Sequence, residues 1–347
     1  MKIALLNLPI DNNYGGNLQR YALVKTLQSL GHHVCFLETH FCFPGNIFRQ
    51  LYGVIKRLPK EILSRFRFFS KKYPVSYFLH KKIPHSLPIY NKTFLKCYRY
   101  FEVYVVGSDQ VWRPKMTMNY GLPTYFFDFL LHKNCKKIAY GVSLGSSECE
   151  FSVQEKGMLS KLYSTFNAVS VRERSALNIL ENCGWTTPAA RLVLDPTFLL
   201  KREDYEELVH GSRTVAPSGN LFCYMLDWNE EKEKLTRDVA LDRGLQPFYV
   251  KMERNREMSI EQWLRSFMDA NFVVTDSFHG LAFSIIFNKP YVLIKNEQRG
   301  NARFENIFSL FEISEDGRNV DWSSVNSKIE KLQKESLDFL REALNEV

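Results

Sequence analysis

The sequence lacks the cysteine spacing of a metal-binding or disulfide-linked scaffold. Its seven cysteines are odd in number and scattered, and no two of them form a C-x-x-C pair. This distribution argues against a zinc finger and against a disulfide framework. The adjacent His32 and His33 fall at the start of a predicted strand, where neighbouring side chains point to opposite faces. We therefore expect no metal site and no cofactor, and a reducing cytoplasm fits best.

Long apolar runs are also missing. No stretch reaches the roughly 18 consecutive apolar residues of a membrane span, and the apolar run within residues 1–9 is too short for a signal peptide. We also find no internal repeat and no low-complexity segment. With 347 residues, 45% of them hydrophobic and 24% charged, the chain has the composition of a globular protein with room for two domains.

The positive charge is concentrated in one segment. The formal net charge is +8, yet residues 49–82 contain ten Lys or Arg and a single acidic residue, Glu61. Apolar residues alternate with these cations, a pattern typical of a helical surface that contacts anionic lipid headgroups. A solvated helical excursion that docks on a domain by its apolar face explains the same pattern. Nucleic acid is the least favoured partner, and we expect none.

The order of apolar runs predicts a first Rossmann-like domain. Short buried strands follow one another from Lys2 onward, separated by helical patterns, and each strand ends in a polar or glycine-containing loop. Such alternation is typical of a right-handed parallel sheet. We assign this domain to residues 1–198, with the basic excursion at 45–98. The predicted strands begin at residues 2, 33, 103, 137, 169 and 191.

A second, smaller α/β domain is predicted for residues 199–347. A polar patch at residues 214–220 precedes it, and four further strands begin at residues 221, 247, 272 and 291. Residues 325–346 have the spacing of a long terminal helix that packs across one or both domains. The predicted fold class is therefore α/β, with two Rossmann-like domains facing a cleft and a basic amphipathic helical excursion in the first.

The junction at residues 275–280, Thr-Asp-Ser-Phe-His-Gly, gathers the most reactive groups of the chain. A buried strand precedes it and a buried helix follows, so it lies where open α/β sheets bind ligands. Free N–H groups and the helix dipole attract an anion there, and Ser277 and His279 add donors. The junction therefore predicts a cradle for phosphate or carboxylate. A simple Ser cap beside a packed histidine is the alternative.

Four segments in order resemble the polysaccharide pyruvyl transferase family. They are residues 13–23 (NYGGNLQRYAL), 107–112 (GSDQVW), 170–173 (SVRE) and 276–280 (DSFHG). The resemblance implies two Rossmann-like domains of the glycosyltransferase-B kind, phosphoenolpyruvate as the donor substrate and a sugar as the acceptor. The implied product is a pyruvate ketal on a capsular, exopolysaccharide or cell-wall sugar.

Donor chemistry suggests roles for the residues of the second half and for one arginine. Ketal formation from an enol phosphate needs a proton donor, a base and groups that hold at least two negative charges. Arg172 is the first candidate for the donor's anions, because a guanidinium matches carboxylate and phosphate geometry. His279 either contacts phosphate or acts as general acid, and Ser277 and Gly280 would complete the cradle. A salt bridge to an acid such as Glu173 is the alternative for Arg172.

Acceptor chemistry suggests residues in the first half. Asp109 is the best candidate for the base that takes a proton from a sugar hydroxyl, although it would also serve as a helix cap. Asn17 and Gln19 are candidates for orienting a substrate, and Trp112 either offers a flat face to a sugar ring or belongs to the core. Asp195 is a weaker candidate. The family pattern is broken at Gly16-Asn17 and at Arg113, which puts the acceptor's identity in doubt.

Two other functions remain open from the sequence. A nucleotide-sugar-dependent glycosyltransferase of the same fold would use the cradle for a diphosphate. A non-catalytic polysaccharide-assembly partner would act through the basic segment instead. That segment also makes a lipid-diphosphate-linked acceptor plausible, with peripheral contact at the inner face of the membrane.

Overall fold

The computed structural model describes residues 1–40, 55–56, 74–251, 258–294 and 302–345. Within these ranges no helix is long and apolar enough to cross a membrane. The strands are β1 Lys2–Leu6, β2 His33–Phe36, β3 Val103–Val106, β4 Lys136–Val142, β5 Ala168–Val171, β6 Ala190–Leu192, β7 Leu221–Met225, β8 Pro247–Lys251, β9 Phe272–Thr275, β10 Tyr291–Leu293 and β11 Asp316–Gly317. The helices are α1 Tyr14–Ser29, α2 Pro74–Lys82, α3 Lys92–Leu95, α4 Val153–Tyr163, α5 Arg174–Asn182, α6 Arg202–His210, α7 Glu230–Arg243, α8 Ile260–Asp269, α9 Phe278–Ile286, α10 Ala302–Phe311 and α11 Trp322–Asn345.

The first six strands form one parallel sheet in the order β2-β1-β3-β4-β5-β6. The central strand β3 is buried along its whole length, as expected for a parallel sheet covered on both faces. All six predicted strands of the first half are present. Because the strands are parallel, their carboxyl ends and the loops that follow lie at one edge of the sheet.

The second sheet has the order β11-β10-β9-β7-β8. Its strands are parallel except for the short edge pair of β10 and β11. Helix α9 follows β9 directly and is buried at every position, which explains its apolar sequence. The structure confirms the predicted α/β class with two Rossmann-like sheets.

The two halves share one continuous hydrophobic core. Tyr14 at the start of α1 stacks on Trp263 of α8, with ring centroids 5.7 Å apart and planes 13° from parallel. Tyr14 also meets Tyr224 of β7 edge to face, with ring centroids 6.5 Å apart. These contacts bring the helix starts at the carboxyl edges of the two sheets together.

The last helix, α11, returns to the first sheet. The hydroxyl of Ser336 accepts the N–H of Leu194 at 2.9 Å, and Phe339 packs 6.2 Å from Tyr140 of β4. The chain therefore crosses between the halves a second time before it ends. The domain boundary between residues 198 and 199 stays a prediction, and α11 contacts the half on the other side of it.

Half of the basic excursion, residues 45–54 and 57–73, lies outside the described residues. Its described end includes α2, which buries Val75, Phe78 and Leu79. Phe78 packs against Tyr21 of α1 with ring centroids 5.4 Å apart. In this portion the apolar face docks on the first domain, as the solvated-excursion interpretation predicts. Lys81, at the end of α2, is exposed.

Candidate active site

The carboxyl edge of the first sheet brings three of the predicted residues together. Asp109 follows β3, Arg172 follows β5 and Asp195 follows β6. One guanidinium nitrogen of Arg172 donates to Oδ1 of Asp109 at 3.1 Å, and another donates to Oδ2 of Asp195. A third carboxylate, that of Glu173, lies 3.7 Å from Nε. Arg172 is thus the centre of a carboxylate cluster.

Burial of Arg172 gives these contacts their strength. Its side chain is 1% exposed, and burial alone would lower its pKa. The charges of Asp195, Asp109 and Glu173 outweigh that effect and raise the pKa. The salt-bridge interpretation of Arg172 is therefore present in the structure. Its predicted contact with the donor's anions stays a prediction.

Asp109 is held in an unusual backbone conformation. Its φ is +70°, the left-handed region that a residue with a side chain seldom adopts. The N–H of Ser143 donates to its carbonyl at 2.9 Å, and the N–H of Gln110 donates to its Oδ1 at 2.9 Å. Although burial would raise the pKa of Asp109, Arg172 and other nearby cationic groups lower it below the usual value. The carboxylate is therefore ionised. Its side chain is 19% exposed. A base that accepts a proton from a substrate hydroxyl needs both properties.

Asp195 has a different role from that of Asp109. Its Oδ1 accepts the N–H and the hydroxyl of Thr197 at 3.0 and 2.8 Å, and its Oδ2 accepts the amide of Gln19. With only 2% of its side chain exposed, Asp195 fixes Arg172 from behind. Gln19 is fully buried and engaged in this bond. Its Oε1 is buried without a hydrogen-bond partner, and its predicted contact with the acceptor stays a prediction.

Asn17 is also turned inward. Its Nδ2 donates to the carbonyls of Asp11 and Asn13 at 3.0 and 2.7 Å, and its Oδ1 accepts a hydrogen bond from Arg20. These bonds shape the loop between β1 and α1. Asn17 is fully buried and holds this loop, and its predicted contact with the acceptor stays a prediction.

Trp112 belongs to the core. It is completely buried, stacks on Phe126 at 4.4 Å and donates its indole N–H to the carbonyl of Tyr125 at 3.1 Å. Both faces of the indole are covered, which favours the core alternative over the predicted sugar-stacking platform. The neighbouring Arg113 forms ion pairs with Glu150 at 2.9 Å and a hydrogen bond to Gln110 at 3.0 Å.

The predicted cradle is only partly available. Ser277 is the N-cap of α9 and accepts the N–H of Gly280 at 3.3 Å. A side chain at Gly280 would overlap Thr275, so close packing against the strand explains this glycine. The capping interpretation of Ser277 is thus present, and the Gly280 N–H is already used. Among the described residues, the N–H groups of Phe278 and His279 meet no acceptor.

His279 connects the two halves of the site. The Cβ and ring of His279 lie so close to the backbone of Gly15, at the first turn of α1, that a methyl group there would overlap them. Its Nε2 is buried without a hydrogen-bond partner, and Oδ2 of Asp195 is 3.9 Å away, too far for a hydrogen bond. An unsatisfied buried nitrogen beside a helix N-terminus suits a ligand's oxygen.

The electrostatic surroundings keep His279 neutral. Burial lowers its pKa to about 4, and the positive charges of Arg172 and Arg303 act in the same direction, while Asp195 and Asp109 oppose them. At neutral pH the ring therefore carries one proton. It can donate that proton in a hydrogen bond, but it cannot contribute a positive charge.

Helix α10 supplies two residues that the sequence did not assign to the site. Arg303 is buried, and its guanidinium carbon lies 5.4 Å from the ring centre of Phe278, which Arg172 also approaches at 4.9 Å. Burial and the charge of Arg172 lower the pKa of Arg303 to about 10. Asn306 donates to the carbonyl of Arg172 at 2.8 Å. From the sequence, Arg303 gave only weak support to the family resemblance, and Asn306 was not singled out.

A comparison with known protein families shows which family this chain belongs to. Residues 13–298 match the model of the family described as polysaccharide pyruvyl transferase. The chain belongs to this family. No curated protein matches it. Membership supports a transferase that acts in polysaccharide modification.

Solved structures similar to this pyruvyl transferase family member support the same fold. HepE from Anabaena, in complex with UDP and glucose, has 9% sequence identity, a TM-score of 0.54 and full coverage of both chains. The UDP-GlcNAc 2-epimerase from Neisseria meningitidis, bound to UDP-GlcNAc, has 8% identity, a TM-score of 0.53 and 99% coverage of both chains. A putative UDP-N-acetylglucosamine 2-epimerase from Listeria monocytogenes has 8% identity, a TM-score of 0.52, and coverage of 98% of this chain and 90% of its own. At such identities the likeness concerns the fold alone, and it confirms the expected glycosyltransferase-B-like architecture.

Proposed function

We propose that this protein transfers the enolpyruvyl group of phosphoenolpyruvate to a pair of sugar hydroxyls in cell-surface polysaccharide biosynthesis. The product is a pyruvate ketal, and phosphate is released. The observation that carries the proposal is that the unpartnered Nε2 of His279 lies 3.9 Å from the carboxylate of Asp195, which binds Arg172, in a chain of this family. No cofactor is needed for the chemistry.

The reaction can be balanced without an oxidant or a reductant. Protonation of C3 turns the methylene of the donor into a methyl group and leaves positive charge at C2. One sugar oxygen forms a bond to C2, and the second oxygen does so as the C2–O bond to phosphate breaks. Of the two hydroxyl protons, one balances the proton on C3 and the other leaves with phosphate. The site must therefore provide a base, hydrogen-bond donors for phosphate and groups that stabilise the positive charge at C2.

The residues of the site divide these tasks. Asp109 is ionised and partly exposed, which suits a base that accepts the hydroxyl proton. His279, neutral and with an unsatisfied nitrogen, suits a hydrogen bond to the leaving phosphate better than delivery of a proton to C3. The N–H groups at the start of α9 and the guanidinium of Arg303 add positive potential on the same side.

In this scheme Arg172 does more than bind the anions of phosphoenolpyruvate. Three carboxylates surround it, so its charge is already balanced before a substrate enters. We assign it the task of holding Asp109 in position and of adding a fixed positive potential. A carboxylate that enters the site would compete with Asp109 for the same guanidinium.

Calorimetric titration of the full chain tests the donor. We expect phosphoenolpyruvate to bind and UDP-glucose not to bind, and we expect His279→Gln to weaken phosphoenolpyruvate binding at least tenfold. His210→Gln is the matched control, because His210 is exposed at the end of α6. Preference for the sugar nucleotide would favour the glycosyltransferase alternative. If neither ligand binds, the expectation that the donor binds before the acceptor is wrong.

The acceptor and its location form a second part of the proposal. The ten cations of residues 49–82 support an acceptor carried on a lipid diphosphate at the inner face of the membrane, with the protein in the cytoplasm and in peripheral contact. Co-sedimentation with vesicles that contain anionic lipid tests this location. Replacing Lys56, Arg57, Lys60, Arg65 and Arg67 by Gln should abolish sedimentation without loss of phosphoenolpyruvate binding. Equal sedimentation of wild type and variant would remove this segment from the proposal.

A further inference from the structure

A second cluster of chemically active side chains lies away from the site, around Glu38. This carboxylate is completely buried just beyond the end of β2. Its Oε1 lies 2.9 Å from Nε2 of His40 and 3.0 Å from Nε2 of His80, and its Oε2 lies 2.7 Å from Nδ1 of His85. Three imidazoles thus converge on one acid.

The backbone holds these residues in place independently of their side chains. The N–H of Phe36 donates to the carbonyl of Pro84, and the N–H of Ser86 donates to the carbonyl of Phe36, both at 2.9 Å. Further along, the N–H of Ile89 donates to the backbone carbonyl of Glu38, and the N–H of His40 donates to the backbone carbonyl of Ile89. The segment that carries His85 therefore runs alongside β2 like an additional strand. Helix α2, docked on α1, supplies His80.

The donor set has the composition of a transition-metal site. The ligand atoms of Glu38, His80 and His85 all lie within 4.8 Å of one another. Modest rotation of the side chains brings such atoms to the roughly 2 Å of zinc–nitrogen and zinc–oxygen bonds. Imidazole favours zinc, copper, nickel and iron, whereas magnesium and calcium prefer sites built from oxygen alone.

The state of Glu38 also suits a ligand. Burial alone would raise the pKa of Glu38, but hydrogen bonds from His40, His80 and His85 hold it well below the usual range. A carboxylate that stays ionised while buried can meet a cation without first losing a proton.

We propose that Glu38, His80 and His85, together with His40, form a binding site for one divalent transition-metal ion of the zinc class. The ion links the end of β2, helix α2 and the 84–89 segment, which are separate in sequence. Its function is structural, since none of the four residues contacts Arg172, Asp109 or His279. The cysteine pattern and the His32–His33 pair predicted no metal because both are local signals, whereas Glu38 and His85 are far apart in the chain.

Metal titration of the full chain, first stripped with a chelator, tests the site. Zn²⁺ should bind with one equivalent per chain by calorimetry, and Co²⁺ should give the intense visible absorption of a site with four or five ligands. Saturating Zn²⁺ should also raise the thermal midpoint, because it binds the folded state. The double variant His80→Gln/His85→Gln should bind at least tenfold more weakly. His210→Gln should behave as wild type.

A single variant keeps the test open if the double variant fails to fold. His85 has the most exposed of the four side chains, at 12%, so His85→Gln should fold and still weaken Zn²⁺ binding. The proposal is wrong if the stripped wild type takes up no ion at micromolar Zn²⁺. It is equally wrong if His85→Gln and wild type bind Zn²⁺ with the same affinity and stoichiometry.

Discussion

Gly15 and His279 touch across the two halves of the chain, and the contact leaves no room for a side chain at position 15. A Cβ there would overlap the Cβ and ring of the histidine. The first turn of α1 and the first turn of α9 thus approach each other through a glycine. The position of the imidazole depends on the absence of one methyl group.

Substitution of Gly15 by Ala should therefore displace α9 and its histidine. We expect a loss of about 1–3 kcal/mol in the free energy of unfolding from overpacking, and at least a tenfold loss of transfer activity from misplacement of the ring. Denaturant unfolding and phosphate-release assays measure the two effects. Gly16→Ala is the matched control for stability, because its added Cβ would make only ordinary contacts at 3.6 Å, with Asn13 and Asp109. Equal losses of unfolding free energy in the two variants would show that the contact with His279 is unimportant.

The depressed pKa of His279 predicts a specific pH dependence of stability. The folded state holds its pKa at about 4, against about 6.5 in the unfolded chain. Between these values the unfolded chain binds the extra proton, so stability falls as pH falls through this window. Between pH 6.5 and 5, the unfolding free energy of wild type should therefore fall by about 1–2 kcal/mol more than that of His279→Gln.

Denaturant titrations of both proteins at pH 7.5, 6.5 and 5 test this prediction, with His210→Gln as the control. The imidazole signals of His279 should also stay unchanged in an NMR titration from pH 8 to 5. A midpoint near 6.5 for this ring would contradict the neutral, buried histidine and would reopen its role as general acid.

Removal of the charge on Asp195 should destabilise the carboxylate cluster without changing its shape. Asp195→Asn leaves a buried guanidinium with one fewer carboxylate, a loss of about 3 kcal/mol at pH 7. The charge of Arg172 and the hydrogen bonds from Thr197 hold the pKa of Asp195 below its usual value despite burial. Its contribution is therefore complete at neutral pH and disappears as pH falls below about 4.

The measurement is the difference in unfolding free energy between wild type and Asp195→Asn as a function of pH. It should be constant from pH 7 to 5 and should shrink below that. Asp338→Asn provides the control, because Asp338 pairs with Arg341 on the exposed surface of α11, where an ion pair contributes less than about 1 kcal/mol. A similar loss in both variants would contradict the central place of Asp195.

The burial of Trp112 predicts a change in stability and not in acceptor binding. Trp112→Phe removes the hydrogen bond to Tyr125 and leaves a small cavity, at a cost of about 1–3 kcal/mol. The KM for the sugar acceptor should stay within twofold of wild type at a temperature where both proteins are folded. A large rise in KM with unchanged stability would restore the sugar-stacking role.

The strands were predictable from the sequence, and the orientation of the loop residues was not. Buried parallel strands such as β3 require continuous apolar runs, and their positions can be read directly. Helix α9 begins at Phe278, three residues before the apolar run that suggested it, because the turn with Ser277 and His279 is polar. The sequence suggested the cap at Ser277 only as the alternative to an anion cradle.

Long-range contacts explain the remaining differences. Trp112 is buried by Phe126 and its neighbours, and Arg303 contacts Phe278 from a different helix. Neither contact leaves a periodic pattern in the sequence. The clustering of Asp109 and Arg172 was predictable in part, since strand ends in a parallel sheet share an edge. The salt bridges that absorb the charge of Arg172 were foreseen only in general terms.

The return of α11 to the first sheet ties the two halves with a double connection. A hinge made of one chain crossing permits rotation about several axes, whereas two crossings far apart restrict motion to a narrower set. Relative motion of the two halves is then limited to rocking about the line that joins the crossings. A truncation after residue 198 would also strip Tyr140 of its cover by Phe339. The first half is therefore a body made of two separate chain segments.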